Sequence, residues 1–259
     1  MGWQNFTGGV AALERTHDAE VPTRRTIPKP VLGPMISIII PAHNEEAYLG
    51  QTLEGLQDQI YPNYEVIVVA NGCTDRTCEI ARHRCHRLLD VPERGLSRAR
   101  NLGAEAARGD ILVFLDADTV LDKNALERIA SRFTREFAAG TLRGEPDIPR
   151  LKYQAMYAWK NLMHCSAMHE GSSGVILCWR DHFQDTSGFD EALHVRENSD
   201  LIRKLRRNGK YLYIGDAAVI TSMRRYEQTG NLRTVWVWTK IWLQSLCGCL
   251  RNKNYEAFR

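Results

Sequence analysis

The sequence predicts an α/β protein in which a mixed, mostly parallel β-sheet is flanked by helices. In the first half of the chain, short apolar runs alternate with segments of helical spacing, which is the pattern of successive β-α units. The apolar runs are continuous rather than alternating, as expected for strands that are buried on both faces. With 259 residues and 44% hydrophobic content, the chain can enclose a sizeable core. We therefore expect one α/β domain with appendages.

Four strands are predicted before residue 120, with a helix after each of the first three. The strands are expected at residues 35–40, 64–69, 87–91 and 111–115. Asn44 and Ser97 are placed to cap the first and third helices, and Gly109 ends the third helix. Helical connections of this length join parallel strands through right-handed crossovers. The carboxyl ends of these strands should therefore meet at one edge of the sheet.

The second half of the chain is predicted to be less regular. Apolar residues at helical spacing predict a packing helix over residues 123–137, and a glycine with two prolines indicates a loop over 143–151. Further elements are expected as a helix at 153–168, strands at 175–178, 211–214 and 217–220, and a helix that begins at Glu197 and ends before Gly209. Tyr157 and Trp159 are expected in the core more than on a sugar-binding surface.

Asp116 and Asp118 directly follow the fourth strand, with Ala117 between them. Open α/β sheets bind ligands at the carboxyl ends of their strands. Two carboxylates so close together repel each other and lose hydration unless a cation or an acid-base task is present. Because carboxylate oxygens are hard ligands, the pair predicts a Mg²⁺ or Mn²⁺ site. A solvated turn followed by a helix cap is the structural alternative.

The charge distribution separates a basic C-terminal quarter from the rest of the chain. The net charge of +3 is too small to indicate nucleic acid binding. Residues 196–259 contain 13 Lys/Arg and 5 Asp/Glu, which suits an anionic partner such as a diphosphate or a membrane surface, although an ordinary solvated face fits as well. The seven cysteines have no spacing typical of a zinc site, so we expect free thiols in a reducing, cytoplasmic compartment.

The two ends of the chain differ from the central domain, which we place at residues 35–231. Residues 1–34 contain four prolines and no periodic pattern, so a poorly ordered extension is expected. Residues 232–259 are predicted to contain an amphipathic helix, in which tryptophans and leucines lie beside basic residues. Such a helix can lie at a membrane interface or pack on its own domain. Neither a membrane span nor a signal peptide is expected, because no apolar run in the sequence has the required length.

Five ordered motifs within residues 37–220 resemble the family 2 glycosyltransferases of GT-A fold. In chain order they are Ile38-Ile-Ile-Pro41-Ala-His-Asn44-Glu45-Glu46, Val68-Val-Ala-Asn71-Gly-Cys-Thr-Asp75, Gly95-Leu-Ser-Arg-Ala99-Arg100-Asn101-Leu-Gly103, Phe114-Leu-Asp116-Ala-Asp118 and Gly188-Phe-Asp190-Glu191. The resemblance implies an inverting transferase that moves a sugar from a nucleotide diphosphate to an acceptor hydroxyl group. It also implies that Asp116 and Asp118 hold a divalent metal on the diphosphate, and it divides the domain into a nucleotide-binding half, 35–120, and an acceptor half, 121–231.

The resemblance also assigns the residues that bind the donor. Nucleotide contacts are expected from Pro41, Ala42, His43, Asn44, Glu45, Asn71, Asp75, Arg100, Asp116 and Ala117. The loops after the first two strands can wrap the base and ribose, and Arg100 is placed to reach the base or the phosphates. The metal would act as a Lewis acid on the departing phosphate oxygens. A UDP-sugar is favoured as the donor over a GDP-sugar.

The sequence departs from the family pattern at the catalytic base. The acidic motif reads Glu197-Asn198-Ser199-Asp200-Leu201, with an amide at the position where the base commonly lies. Because an amide accepts no proton at physiological pH, either Glu197 or Asp200 is expected to take this role, with Glu197 favoured. An acceptor acidic enough to need little help is the other solution. Asp118 is the third residue predicted to act in catalysis.

Two other functions fit parts of the sequence. An apolar strand followed by Asp116 and Asp118 also resembles the first motif of haloacid-dehalogenase phosphatases, in which the first aspartate is a nucleophile. In those enzymes the motif ends the first core strand, whereas here three β-α units precede it. A catalytically silent module that binds a sugar nucleotide would suit Asn198 and the Trp-rich tail. The preferred prediction is a metal-dependent inverting glycosyltransferase in the cytoplasm, peripheral on the inner membrane face, that acts on a lipid-linked or small acceptor.

Overall fold

The computed structural model describes residues 33–166, 171–193 and 196–229. The strands are β1 (Ile36–Ala42), β2 (Tyr64–Asn71), β3 (Arg87–Val91), β4 (Ile111–Leu115), β5 (Thr119–Leu121), β6 (Phe137–Pro146), β7 (Val175–Trp179) and β8 (Lys210–Thr221). The helices are α1 (Leu49–Gln57), α2 (Thr77–Arg82), α3 (Leu96–Ala106), α4 (Ala125–Arg132), α5 (Leu151–Cys165), α6 (Arg180–Gln184), α7 (Glu197–Leu205) and α8 (Arg224–Thr229). None of these helices is long and apolar enough to cross a bilayer. The predicted C-terminal helix and nearly all of the predicted N-terminal extension lie outside the described residues.

The eight strands form one sheet in the order β3-β2-β1-β4-β7-β6-β8-β5. β1 pairs in parallel with β2 and β4, β2 pairs in parallel with β3, and β6 pairs in parallel with β8. The remaining three pairings are antiparallel. The predicted mixed, mostly parallel sheet flanked by helices is therefore confirmed. Because β2, β1 and β4 are parallel neighbours, the loops that follow them lie at the same edge of the sheet.

Apolar side chains form a separate core on each face of the sheet. One core lies between the sheet and α1, α2 and α4. The core on the opposite face includes Ala99 of α3 and Leu201 of α7. A smaller cluster joins α5 to the start of α8 and contains Tyr157 and Met223. Trp159 was expected in the core, but this prediction is wrong because its side chain points outward and is 65% exposed.

β6 lies where the sequence predicted the end of a helix and a loop. It spans Phe137–Pro146, pairs with β7 and β8, and most of its residues are buried. The glycines and the terminal proline of this segment are typical of a loop. The segment is nevertheless a strand, because it is mostly buried and hydrogen bonds to a neighbouring strand on each side. The two short strands predicted at 211–214 and 217–220 are one continuous strand, β8. These corrections extend the sheet within residues 121–231.

Asn44 and Ser97 do not cap helices as predicted. The residues that precede α1 and α3 are Tyr48 and Gly95, and neither makes a side-chain capping hydrogen bond. Asn44 instead adopts a left-handed conformation with φ of 55°. Asparagine tolerates this conformation because its short side chain can form local hydrogen bonds. The residue therefore belongs to the loop after β1.

The close approach of α3 to the sheet depends on Gly103. A Cβ atom at this position would collide with Cγ2 of Ile39 in β1 and lie 3.2 Å from Cγ2 of Val69 in β2. Arg100 lies one helical turn earlier on the same buried face of α3. Gly103 therefore sets the depth at which Arg100 enters the space beneath the strand ends.

We expect Gly103→Ala to lower the free energy of unfolding by about 1–2 kcal/mol, because overpacking the α3 interface outweighs the better helix propensity of alanine. The measurement is equilibrium denaturation by urea, followed by far-UV circular dichroism. Gly50→Ala in α1 is the matched control, since a Cβ atom there meets only Arg84 Nη1 at 3.5 Å. This control should be stabilising by about 0.5–1 kcal/mol. A stabilising effect of both substitutions would contradict the tight α3 interface.

Candidate active site

The loops after β1 and β2 are joined through the side chain of Asn71. The amide nitrogen of Asn71 donates to the carbonyl oxygen of Ala42 at 2.8 Å, and its oxygen accepts from the Gly95 amide at 3.2 Å. The ring Nδ1 of His43 lies 2.7 Å from the carbonyl oxygen of Asn71, so it is the donor in this contact. The predicted nucleotide-binding loops and the start of α3 therefore form one cross-linked wall. Pro41 contributes to this wall as a buried residue of β1.

Asp75 fixes the second loop against the first. Its two oxygens accept hydrogen bonds from the amide of Thr77 at 2.9 Å and the amide of Glu46 at 3.1 Å. Burial acts to raise the pKa of the Asp75 carboxyl group, but the hydrogen bonds outweigh it and the pKa lies below its ordinary value. Thr77 also accepts from the amide of Glu45 at 2.8 Å, while Asn44 accepts from the Thr74 amide at the same distance. The loop conformation is therefore set before any ligand arrives.

The turn that carries Asp116 and Asp118 is held by backbone contacts on three sides. The amide of Asp116 donates to the carbonyl oxygen of Gly174 at 3.0 Å, and the carbonyl oxygen of Asp118 accepts from the Ser222 amide at 3.2 Å. Between them, Ala117 is buried, and its carbonyl oxygen accepts a hydrogen bond from the Thr52 hydroxyl group at 2.8 Å. The two carboxylates therefore project from a fixed turn at the end of β4.

Arg100 brings the first of these carboxylates together with the acidic motif at the start of α7. Its Nη2 donates to Asp116 at 3.0 Å, while Nη1 donates to Glu197 at 3.2 Å and to the Asn198 side-chain oxygen at 2.8 Å. The guanidinium group lies 5.0 Å from the ring centroid of Phe189, and the side chain is only 4% exposed. Arg100, Asp116 and Glu197 were predicted to share one site, and the structure brings them together through one guanidinium group.

Arg224 binds the second carboxylate, and the sequence did not identify it as a site residue. Its Nη2 lies 3.2 Å from Asp118 and 2.7 Å from Glu45, and its guanidinium group stacks 4.2 Å from the ring centroid of Tyr48. Burial acts to lower the pKa of Arg224, but the Glu45 hydrogen bond and the charge of Asp118 raise it overall. In the sequence, Arg224 stands out only as one of the basic residues of 196–259. Because Arg224 lies far from Asp118 in the sequence, no local pattern of residues predicts this contact.

Lys160 is a further cation beside the site that the sequence did not identify. Its side chain extends from the inner face of α5, with Nζ 5.2 Å from the ring centroid of Tyr157. Burial lowers the pKa of Lys160 to about 8, although the charge of Asp116 acts in the opposite direction. In the part of the chain that the structure describes, no salt bridge to Lys160 is formed. The ammonium group lies close enough to Asp116 to interact with it electrostatically.

Asp200 lies one helical turn from Glu197 but has different surroundings. Its carboxylate forms ion pairs with Arg203 at 2.8 Å and with Lys204 at 2.9 Å. Burial acts to raise the pKa of Asp200, but these two cations outweigh it and the pKa lies below its ordinary value. The residue opens onto a cavity of about 560 Å³ lined by Asn101, Ser187, Phe189, Asp190, Glu191, Asp200 and Lys204. Glu197, in contrast, shares Arg100 with Asp116.

The residues at this edge of the sheet fit a divalent cation shared with a ligand. Asp116 and Asp118 supply two carboxylates, and the described residues contain no cluster of three or more His, Cys, Asp or Glu side chains suited to a metal. Mg²⁺ is commonly held by one or two carboxylates together with substrate phosphates, so two carboxylates are a compatible set. Because Arg100 and Arg224 bind the same two carboxylates, a metal ion would compete with both arginines.

Comparison with known proteins gives the family. The model of a family described as "Glycosyl transferase family 2" matches residues 37–229. An uncharacterized glycosyltransferase of Haemophilus influenzae is 37% identical over 101 residues, which are 37% of this chain and 40% of that protein. Glycosyltransferase AglE of Haloferax volcanii is 40% identical over 103 residues, which are 37% of this chain and 34% of that protein. The chain thus matches well under half of the length of these relatives.

Solved structures of similar fold include two with bound sugar nucleotides. TarS of S. aureus, residues 1–349 in complex with UDP-GlcNAc, has a TM-score of 0.60 and 22% identity over 73% of this chain and 58% of its own. The mannosyltransferase PcManGT from Pyrobaculum calidifontis, in complex with GDP-Man and Mn²⁺, has a TM-score of 0.59 and 19% identity over 72% of this chain and 56% of its own. At these identities the likeness establishes the fold. Since the family model covers nearly all of the described domain, the chain belongs to glycosyl transferase family 2.

Proposed function

We propose that the chain transfers a glycosyl group, with inversion, from a nucleoside-diphosphate sugar to an acceptor hydroxyl group, and that the donor is a UDP-sugar. The observation that carries the proposal is the pairing of two adjacent carboxylates with two arginines, Asp116 with Arg100 and Asp118 with Arg224, at the carboxyl edge of the sheet. Family membership supports the reaction class. The complexes of TarS with UDP-GlcNAc and with UDP support the choice of donor.

The leaving group explains why cations are needed at this position. Breaking the bond between the anomeric carbon and the diphosphate leaves negative charge on the phosphate oxygens, and fixed cations stabilise charge that develops in the transition state. Arg100 binds Asp116, Arg224 binds Asp118, and Lys160 interacts electrostatically with Asp116. A Mg²⁺ or Mn²⁺ ion held by Asp116 and Asp118 would add Lewis-acid stabilisation of the same oxygens. The complex of PcManGT with Mn²⁺ supports this choice of metal.

The loops after β1 and β2 are proposed to bind the nucleoside. Asn71 and Asp75 hold these loops in place through hydrogen bonds that exist without a ligand. A preformed site costs less conformational entropy on binding than a site that must be ordered. Pro41, Ala42 and His43 are proposed to contact the nucleoside from the loop after β1, and Ala117 is proposed to lie beside the diphosphate. In this arrangement Asn71 and Asp75 act on the nucleoside mainly by positioning the loop backbone.

Glu197 is the better placed of the two candidate bases. Its carboxylate shares the Arg100 guanidinium group with Asp116, so it lies beside the proposed diphosphate site. Asp200 is held by Arg203 and Lys204, and its lowered pKa makes it a weaker base. We therefore propose that Glu197 accepts the acceptor proton and that Asn198 positions Arg100.

A lipid-linked acceptor and a peripheral position on the inner face of the cytoplasmic membrane complete the proposal. The basic excess of residues 196–259 supports contact with an anionic surface. The chain is proposed to bind no nucleic acid, in keeping with its small net charge.

Binding of UDP together with Mn²⁺ should raise the melting temperature by about 5–10 °C at a hundredfold excess over Kd, because ligand binding stabilises the folded state by about 2.7 kcal/mol at this ratio. GDP and UDP without metal should give smaller shifts. Asp118→Asn should remove the metal dependence, whereas the exposed control Asp58→Asn should leave it unchanged. Equal shifts with UDP and GDP would overturn the donor assignment, and a shift indifferent to Mn²⁺ and EDTA would overturn the metal site.

Lys160→Ala should weaken UDP binding about tenfold or more, while uridine binding should stay unchanged. The physical reason is that a hydrogen bond to a charged group contributes about 1.5–3 kcal/mol. Isothermal titration calorimetry measures both affinities. Lys152→Ala is the matched control, because Lys152 also lies over a tyrosine ring of α5, with Nζ 4.6 Å from the Tyr153 centroid, but is exposed. Equal loss of UDP and uridine affinity would show that Lys160 supports the fold rather than the diphosphate.

Glu197→Gln should reduce the rate of UDP release from the bound UDP-sugar by about 10²- to 10⁴-fold, since a positioned general base contributes that much. UDP affinity should be retained within a few-fold, which separates loss of the base from disturbance of Arg100. Asp200→Asn should keep most of the activity. If Asp200→Asn abolishes release and Glu197→Gln does not, the base is misassigned. If the unmodified protein binds a UDP-sugar and releases no UDP with any acceptor, the catalytically silent alternative holds.

A further inference from the structure

The outer face of α5 carries an apolar stripe that is exposed to solvent. Leu151, Trp159 and Leu162 are 81%, 65% and 66% exposed, and the alanines at 155 and 158 lie exposed between them. The rise of an α-helix makes this stripe about 16 Å long. A contiguous exposed apolar patch of this kind marks an interaction surface.

The stripe is not the face by which α5 joins its own domain. Tyr153 and Tyr157 pack on the inner side against Met223, and Asn161 hydrogen bonds with both backbone groups of Gly144 at 2.9 Å. These contacts fix the rotation of the helix about its axis. The apolar stripe is therefore a second, outward apolar face of α5.

α8 packs beside α5 and runs in the opposite direction. Met223, which precedes α8, clusters with Tyr157 in the middle of α5, whereas Glu227 pairs with Arg150 at 2.8 Å and accepts a hydrogen bond from the Tyr153 hydroxyl group. The described chain ends at residue 229, next to the N-terminal end of α5. Leu151, the first member of the stripe, lies at this end. The 30 residues from 230 to 259 continue from here.

The sequence after residue 229 has the pattern of a turn followed by an amphipathic helix. Gly230 and Asn231 are residues that end helices and form turns. Apolar residues then recur at helical spacing as Leu232, Trp236, Leu243, Leu246 and Leu250. A helix over 232–250 would be about 28 Å long, enough to cover the stripe on α5. A turn after α8 would direct this segment back along α5.

We propose that residues 232–250 form a helix that docks on the apolar stripe of α5 and runs parallel to α5. The segment and α8 would then form an αα-hairpin, which is a common arrangement for two antiparallel helices joined by a short turn. Because both helices would rise equally per residue, this docking would place Leu232 beside Leu151 and Leu246 beside Cys165. The short connection gives the segment a high effective concentration, which favours docking within one chain over a second copy or a membrane.

Cross-linking of native cysteines tests the direction and the register of this docking. Cys165 is exposed at the end of α5, and Cys247 would lie beside it in the parallel arrangement. A bismaleimide with a span of about 10 Å should link Cys165 to Cys247 within one chain, as mapped by mass spectrometry after proteolysis. Cys165→Ser should abolish the link. A link between two chains would assign the stripe to a second copy, and absence of the link although both thiols react would overturn the proposal.

A double-mutant cycle in the full chain tests the energetic contact. Trp159→Gln and Leu246→Gln should each lower the melting temperature by several degrees, and together they should lower it no further than the larger single effect. Ile60→Gln is the control, because Ile60 is 54% exposed elsewhere on the molecule and its effect should add to that of Leu246→Gln. Additive effects of Trp159→Gln and Leu246→Gln would overturn the docking. So would unchanged melting temperatures accompanied by loss of binding to anionic phospholipid vesicles, which would place the segment on the membrane.

Discussion

The buried guanidinium group of Arg100 is the interaction on which the candidate site depends. It lies between the end of β4 and the start of α7, and it contacts Asp116, Glu197 and Asn198 at the same time. A buried cation without a partner is very costly, so the carboxylates and the guanidinium group require one another. Arginine suits this position better than lysine because its planar group can donate to several acceptors in fixed directions. Removal of Arg100 would therefore disturb both the proposed metal site and the proposed base.

The charges of the site determine how the proposed diphosphate would bind. Glu45, Asp116, Asp118 and Glu197 supply four carboxylates, while Arg100, Arg224 and Lys160 supply three cations. A diphosphate adds further negative charge, and Coulomb repulsion in a partly desolvated site would be large without compensation. Under the proposed function, a divalent cation would offset this charge, and an arginine displaced from a carboxylate could bind the phosphates. Metal binding and donor binding would then be linked electrostatically.

α5 and α8 connect the site to the C-terminal part of the chain. Lys160 of α5 lies over the Tyr157 ring and interacts electrostatically with Asp116, and the outer face of α5 carries the apolar stripe. α8 begins with Arg224, which binds Asp118, and ends beside the start of α5. If residues 232–250 pack on the stripe, they also restrain the position of α8. The docking segment would then stabilise the ion pair between Arg224 and Asp118.

The sequence by itself determined the first half of the protein, and tertiary structure decided much of the second. Continuous apolar runs and the residues between them were enough to place β1, β2 and β4 and the carboxylate pair at their shared edge, because these signals are local. The loop signal of residues 143–151 and the expected burial of Trp159 were wrong, because strand pairing and helix rotation depend on contacts with distant segments. Lys160 reaches the site from α5, and Arg224 reaches it from the start of α8, which follows β8. Their roles depend on long-range contacts between side chains, which no local pattern of residues encodes.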